Sequence, residues 1–420
     1  MRRGINSNIE TENMKKIYFK TEDANTRGYR FNAVLPESTT QDQVFEICNI
    51  GNFIDSAMDG YSATIFAYGQ TGSGKTYTMA GDEKRQSKEE WKGNESDGII
   101  PRCVDYMWGQ MINRDEQFYV KASYAEIYKE QIQDLLNPAS GILHCRWNVQ
   151  NGFFVEDLTV VECTSKDDLI AVLHEGIKNR KTGSHNLNPD SSRSHSILTV
   201  YLISETKSDN DIYKKYGKIS FVDLAGSERL KETESKGEMV KETGNINKSL
   251  FTLGKVISCL SDKRGYSGKH IPYRDSKLTM LLMDSLGGSS KALMIACISP
   301  SEVYIDETQS TLNYATRTMN IKNKPVIKMD PKEQVKFNLK REVELLRLQN
   351  SFLRQELGKL TGEPNVAVPD ISDLQHLVGG DLPPMEGGML PSIHGKRGKR
   401  DGFNSFDSSS MISEKSGKNF

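Results

Sequence analysis

The chain has no C-x-x-C pair and no metal-ligand spacing among its cysteines: Cys48, Cys103, Cys145, Cys163, Cys259 and Cys297 are scattered. That excludes a disulfide framework and a zinc ribbon, and it suggests reduced thiols in a cytosolic protein with no zinc site. An apolar run of about 18 residues is also missing, and polar sequence rather than an apolar segment follows Met1. No membrane insertion and no secretory leader are expected, so the protein reads as soluble and intracellular. Charge of one sign is lacking as well. The 55 basic and 56 acidic residues leave a net charge of -1, which rules out a globally basic nucleic-acid binder. No nucleic-acid partner is expected, and any polyanionic partner must be met by a local basic patch.

What the chain does have is length, a phosphate loop and a second phosphate-binding element. Its 420 residues can bury a full core as one large domain with extensions. Gly69, Gln70, Thr71, Gly72, Ser73, Gly74, Lys75 and Thr76 fit G-x-x-x-x-G-K-[ST]. In that pattern glycines let backbone N–H groups curl round phosphates, the lysine reaches the β/γ oxygens and the hydroxyl holds Mg²⁺. The run Ser62–Tyr68 reads as a buried strand and Lys75 onward as a helix start, the context a nucleotide site needs. A glycine-rich turn without a ligand is the bland alternative, and the flanking strand and helix argue against it. Asp223 ends a second apolar strand and is followed by Gly226. A carboxylate for the Mg²⁺ shell and a small residue whose N–H can approach the γ-phosphate suit such an element.

Taken in order, the pattern predicts a strand over Tyr29–Leu35, one helix over 41–59 and a helix opened by Pro101. It predicts an exposed charged loop at 81–97, a strand over 117–128, a short helix over 129–136 and a strand within 153–161. Ser165 and Asp168 form a capping box for a helix to about Asn179. Strands over 197–204, 218–223 and 292–299 and helices over 239–260, 274–286 and 308–321 complete the reading. Alternating strands and helices favour a three-layer α/β domain with ligands at the strand carboxyl ends.

Six stretches in order then resemble the kinesin motor domain: Gly69–Thr76, Asn188–His195, Asp223–Glu228, Asn245–Leu250, His270–Thr279 and Asp284–Gly288. The resemblance implies a P-loop NTPase fold of kinesin-motor type, with a mixed, mostly parallel sheet flanked by helices. It implies a microtubule-stimulated ATPase acting on Mg·ATP in the cytoplasm, on the cytoskeleton. By the same resemblance Ser191, Ser192 and Arg193 match the first switch, and Asp223, Gly226 and Glu228 the second. Arg193 would pair with Glu228 to close the site, and Thr76, Ser192 and Asp223 would hold the metal. The helix from Met239 resembles the relay to tubulin, with Arg229, Lys248, Lys263, Arg264, Lys269 and Arg274 as candidate contacts. Two departures stand out. Nothing in residues 1–28 matches the family's adenine-contacting strand, so that strand is expected to be missing and Tyr77 becomes a candidate to stack on the base. Gly244 stands where many members carry a basic residue. A non-motile, microtubule-binding or regulatory protein with an impaired nucleotide site is therefore the rival reading.

The motor-like domain is placed at residues 1–322 and a linker resembling the kinesin neck linker at 323–332, an order usually associated with plus-end movement. Leu339, Leu346, Leu353 and Leu360 recur every seventh residue with Val343, Asn350 and Leu357 between them, a short two-stranded coiled-coil pattern over 333–361. A homodimer is expected through it. Residues 362–420 turn to Gly, Pro, Ser and charge and are expected to be disordered.

Overall fold

The computed structural model describes residues 9–361 apart from 13, 21–25, 83–93, 150, 185–190, 209–210, 229–237, 263–269 and 330. The charged loop at 81–97 and the disordered tail expected at 362–420 thus fall mostly or wholly outside the described residues. Strands β1 (Ile9–Glu12), β2 (Lys16–Lys20) and β3 (Thr26–Arg30) form a separate three-stranded antiparallel sheet. Ile17 and Phe19, two apart and so on one face of β2, are buried with Val34 and Leu312. The strand expected over Tyr29–Leu35 stops at Arg30, because the N–H groups of Phe31 and Val34 donate instead to the carbonyls of Lys15 and Met14.

The single helix expected over 41–59 is two, α1 (Gln41–Ile47) and α2 (Ile50–Met58), because Asn49 between them adopts φ 52° in the left-handed region. Next come β4 (Ser62–Tyr68), α3 (Lys75–Met79), α4 (Ile99–Ile112), with Pro101 tolerated in its first turn, and β5 (Gln117–Tyr128). The helix expected over 129–136 is a strand, β6 (Gln131–Asp134). Lys129 and Glu130, at φ 49° and 62°, make the two-residue turn of a hairpin with β5. Then follow β7 (Ile142–Leu143) and the hairpin of β8 (Cys145–Asn148) and β9 (Gly152–Val155). The strand expected within 153–161 is β9, and β10 (Val161–Cys163) pairs separately on β5. The predicted capping box does start α5 (Lys166–Ser184): the Asp168 carboxylate accepts from the N–H groups of Thr164 and Ser165, and Asp168 N–H donates to Ser165 Oγ.

Strands β11 (His195–Ser208) and β12 (Asp211–Asp223) form a long hairpin, followed by α6 (Glu238–Ser261). The helix expected over 274–286 shrinks to α7 (Lys277–Leu281) between single 3-10 turns at 273–275 and 283–285. The chain ends, within the described residues, with β13 (Ser290–Ala296), α8 (Ile305–Thr318) and α9 (Pro331–Thr361). Contacts divide the chain into two units between Glu344 and Leu345, inside α9.

Among the described residues the main sheet has eight strands in the order β13-β4-β12-β11-β5-β6-β7, with β10 on β5. Only β13, β4 and β12 run parallel; the other pairs are antiparallel. The expectation of a mostly parallel sheet is corrected accordingly. β4 is buried at all seven positions, which is why it reads as an unbroken apolar run. Its alternation splits the core into two layers. Ala63, Ile65 and Ala67 pack with Ile50 and Ile54 of α2, Ile99 of α4 and Leu169 of α5. Phe66 and Tyr68 pack on the other face with Leu253, Val256 and Ile257 of α6 and Leu278 of α7. Each fully buried side chain of this size contributes about 1.5–3 kcal/mol. Residues 324–328 are bonded to the body: Lys324 and Val326 donate to the carbonyls of Gly288 and Ser289, and Lys328 N–H donates to Gly60 O. No helix among the described residues is long and apolar enough to cross a membrane.

Candidate functional site

The site lies where β4, β12 and β11 reach the same edge of the sheet. β4 and β12 are parallel neighbours, so their carboxyl ends deliver Gly69 and Leu224 side by side. Ser196, at the start of β11, pairs in register with Asp223 at the end of β12. A parallel pair beside an antiparallel one therefore brings three loops together.

The glycine loop is shaped by backbone conformations that side chains disfavour. Gly69 sits at φ 155°, and a Cβ there would lie 2.0 Å from the Cys297 carbonyl oxygen. Gly72 and Gly74 are left-handed, at φ 75° and 97°, and a Cβ on either would meet nothing within 4 Å. The loop thus borders open room of the kind a phosphate group requires. Gly74 is the N-cap of α3. Lys75 is buried, 7% exposed, and donates from Nζ to Gln70 O at 2.8 Å. Burial pulls its pKa down, and the nearby carboxylates of Asp223 and Glu228 partly restore the charge. Tyr77, by contrast, is 52% exposed.

Thr76 Oγ1 donates to Asp223 Oδ2 at 2.8 Å, joining the glycine loop to β12. The other oxygen, Asp223 Oδ1, is buried without a hydrogen-bond partner. An orphaned buried carboxylate oxygen beside a threonine hydroxyl fits a magnesium shell, which takes hard oxygen donors. Gly226 N–H donates to Ser192 O at 2.7 Å, and Ser227 N–H donates to Gly69 O at 3.0 Å. Glu228 accepts from Thr71, from the backbone N–H at 2.8 Å and from the hydroxyl as well. The loop after β12 is therefore bonded to both of the others. Among the described residues no ion pair joins Arg193 to Glu228; in this conformation the carboxylate serves Thr71.

Sequence reasoning missed Arg180. It lies on α5 and donates to Asp223 Oδ2 at 2.9 Å, Ser196 Oγ at 3.1 Å and Ser194 O at 3.1 Å. Burial opposes its charge, but Asp223 and Glu126 more than restore it. The signal was present: Leu169, Leu173, Ile177 and Arg180 recur at helical spacing, and a charge on an apolar stripe demands a buried partner. His195 is also buried, its Nε2 2.6 Å from Ser249 Oγ of α6 and its Nδ1 accepting from Ala225 N–H at 2.9 Å. Of the six basic candidates, Lys248 and Arg274 are exposed, Arg274 lying over the Phe153 ring of β9. Arg229, Lys263, Arg264 and Lys269 lie outside the described residues, as does the side chain of Ser191.

A strand, a glycine loop and a helix, with the loop after β12 bonded both to the glycine loop and to Ser192, define a P-loop nucleotide-binding protein. Within that class the comparisons are specific. The kinesin motor domain family model matches residues 2–321. The chain is 40% identical over 335 residues to kinesin-like protein KIN-12D of Arabidopsis thaliana, covering 78% of this chain and 12% of that protein. It is 40% identical over 356 residues to human chromosome-associated kinesin KIF4A, covering 84% of this chain and 28% of that one. Mouse kinesin-like protein KIF12 is 40% identical over 369 residues, 86% of this chain and 56% of its own length. A solved structure of a fast kinesin superposes with a TM-score of 0.71 at 33% identity, over 78% of this chain and 89% of that one. This chain belongs to the kinesin family. It spans only part of the length of the curated relatives it matches.

Proposed function

We propose that the chain is a microtubule-stimulated ATPase that couples Mg·ATP hydrolysis to movement along microtubules, directed to plus ends, on the cytoskeleton in the cytoplasm. The observation that supports this best is the three-loop junction at Asp223: a phosphate loop, a carboxylate with one orphaned oxygen, and Gly226 bonded to Ser192. Backbone N–H groups from Gly69 to Thr76 would cradle the phosphates, with Lys75 on the β and γ oxygens and Tyr77 against the base. Thr76, Ser192 and Asp223 would hold Mg²⁺, which when bound neutralises charge developing on the transferred phosphoryl group. Gly226 N–H would turn from Ser192 O to the γ-phosphate. Glu228 would leave Thr71 for Arg193, shutting the site round the attacking water. Phosphoryl transfer needs positioning and charge stabilisation, and a closing loop supplies both.

α6 presents Lys248 and a 64% exposed Phe251 on its outer side, a face suited to an acidic filament. With Arg229, Lys263, Arg264, Lys269 and Arg274 it would form the patch for tubulin, with an affinity that falls as salt rises. In α9 the seam residues Leu339, Val343, Leu346 and Leu353 are each about half exposed or more, which supports a homodimer through 333–361. The rival, a non-motile microtubule-binding or regulatory protein, draws on one observation: among the described residues β13 pairs only with β4, leaving its outer edge open. ATP turnover measured with and without microtubules separates the two. Stimulation that disappears in Lys75→Ala is expected; tight filament binding with no turnover would establish the rival.

A further inference from the structure

His195 touches two elements that the site's chemistry alone does not connect. Its Nδ1 accepts the Ala225 N–H at 2.9 Å, so that nitrogen carries no proton. In a neutral ring the proton then sits on Nε2, which donates to Ser249 Oγ at 2.6 Å. Both side chains are buried, His195 2% and Ser249 4% exposed, and burial holds the imidazole uncharged. The ring is a rigid strut of fixed length with a backbone N–H at one end and a helix side chain at the other.

Its near end is well placed to sense the phosphate site. Ala225 adjoins Gly226, whose N–H donates to Ser192 O at 2.7 Å. That N–H has one proton, so it cannot serve both Ser192 O and a phosphate oxygen at full strength. Swinging it from one acceptor to the other turns the peptide that Ala225 shares. The far end is equally well placed: Ser249 directly follows the exposed Lys248, while Leu253 and Val256 pack the same helix onto the sheet. A buried donor left without its acceptor is costly, so α6 must follow the ring or lose the bond.

We propose that His195 is a positioning residue that transmits the state of the phosphate site to α6 through its bond to Ser249. This rests on the function proposed above. The two bonds form a bistable link: Ser192 O and a phosphate oxygen compete for Gly226 N–H, and Ser249 reports the outcome to the filament-facing helix.

The test uses the full chain as wild type, Ser249→Ala and Ser249→Thr. Three quantities are read: basal ATP turnover, microtubule-stimulated turnover, and the ratio of microtubule Kd in ADP to that in a non-hydrolysable ATP analogue. In Ser249→Ala basal turnover stays within about twofold of wild type, while the Kd ratio falls about fivefold or more toward one. Ser249→Thr, which keeps the hydroxyl, restores the ratio. If Ser249→Ala fails to fold, Ser249→Cys is read instead, since its thiol fills similar space but bonds weakly. An unchanged ratio in the Ala or Cys variant overturns the proposal. So does equal loss of basal and stimulated turnover, or failure of Thr to rescue. A wild-type ratio of one overturns the proposed function itself and this inference with it, a result visible before any variant is made.

Discussion

Replacing Arg180 with alanine removes the guanidinium that neutralises two carboxylates at the heart of the site. The side chains of Arg180 and Asp223 are 7% and 8% exposed, so solvent screens the pair little. The guanidinium bonds Asp223 Oδ2, Ser196 Oγ, Ser194 O and Ser194 Oγ, and lies 3.6 Å from the Glu126 carboxylate. Truncation leaves the buried Asp223 and the partly buried Glu126 without that cation, and breaking one side of a buried pair costs about 3–5 kcal/mol. Lys75 remains close to Asp223, which favours the lower half of that range. A body of about 320 residues has an unfolding entropy of about 0.7 kcal/mol/K, so the melting temperature should drop by about 4–6 °C. Thermal unfolding followed by circular dichroism measures this directly. A double-mutant cycle with Asp223→Asn should show the double variant losing less than the sum of the singles by at least about 1 kcal/mol. A melting temperature within about 1 °C of wild type, or strict additivity in the cycle, would refute the reasoning.

Three further expectations rest on separate observations. Gly69→Ala should lose about 3 kcal/mol or more, or fail to accumulate as soluble protein, because its Cβ would meet backbone oxygen at 2.0 Å; a wild-type melting curve would contradict this. The His195 imidazole is pushed down to about 3, chiefly by burial, so below about pH 6.5 the unfolded chain takes up a proton that the folded chain refuses. Stability is thus full above that pH and falls as pH falls, by about 2 kcal/mol at pH 5. Urea unfolding at about pH 7 and pH 5 should show a loss smaller by about 2 kcal/mol in His195→Asn than in wild type, the residual loss including that from His174, which burial also holds below its usual value. Sedimentation of residues 323–362 should give a weak dimer that Asn350→Lys disrupts, and a monomer at every concentration would end the coiled-coil reading.

The parts of the fold legible in the sequence are those whose cause is local. β4 announces itself because both its faces are buried, and the start of α5 because Ser165 and Asp168 cap it within three residues. The glycine loop is legible because its φ values admit little else. β6 was hidden because its turn carries no glycine or asparagine; Glu130 keeps its left-handed conformation while its carboxylate accepts from Ser276 Oγ and Lys277 N–H, some 146 residues away. The split between α1 and α2 turns on the left-handed conformation of one asparagine. The length of the β11–β12 hairpin was equally obscure, since Glu205 to Gly217 carries little of the apolar alternation that marks a half-buried strand. The site was legible where a motif names it and silent where packing does, as with Arg180.

Apart from the orphaned Asp223 Oδ1, several of the site's polar groups already bond one another. Lys75 Nζ is held by Gln70 O, Thr76 Oγ1 by Asp223, Gly226 N–H by Ser192 O and Thr71 by Glu228. On the proposed function, nucleotide binding at these groups therefore exchanges bonds instead of adding them. Of these bonds only that from Gly226 N–H to Ser192 O joins two neutral groups; a neutral bond is worth about 1 kcal/mol net and a charge-assisted one about 1.5–3 kcal/mol, so moving this N–H onto a phosphate gains about 0.5–2 kcal/mol. A gain of that size shifts a two-state ratio by about 2- to 30-fold. Losing the γ-phosphate removes only the swaps made at Gly226 and part of that at Lys75. The freed N–H returns to Ser192 O while the glycine loop keeps the remaining phosphates. That asymmetry is what would let hydrolysis reverse the loops, and the helix bonded to them, without first releasing the nucleotide.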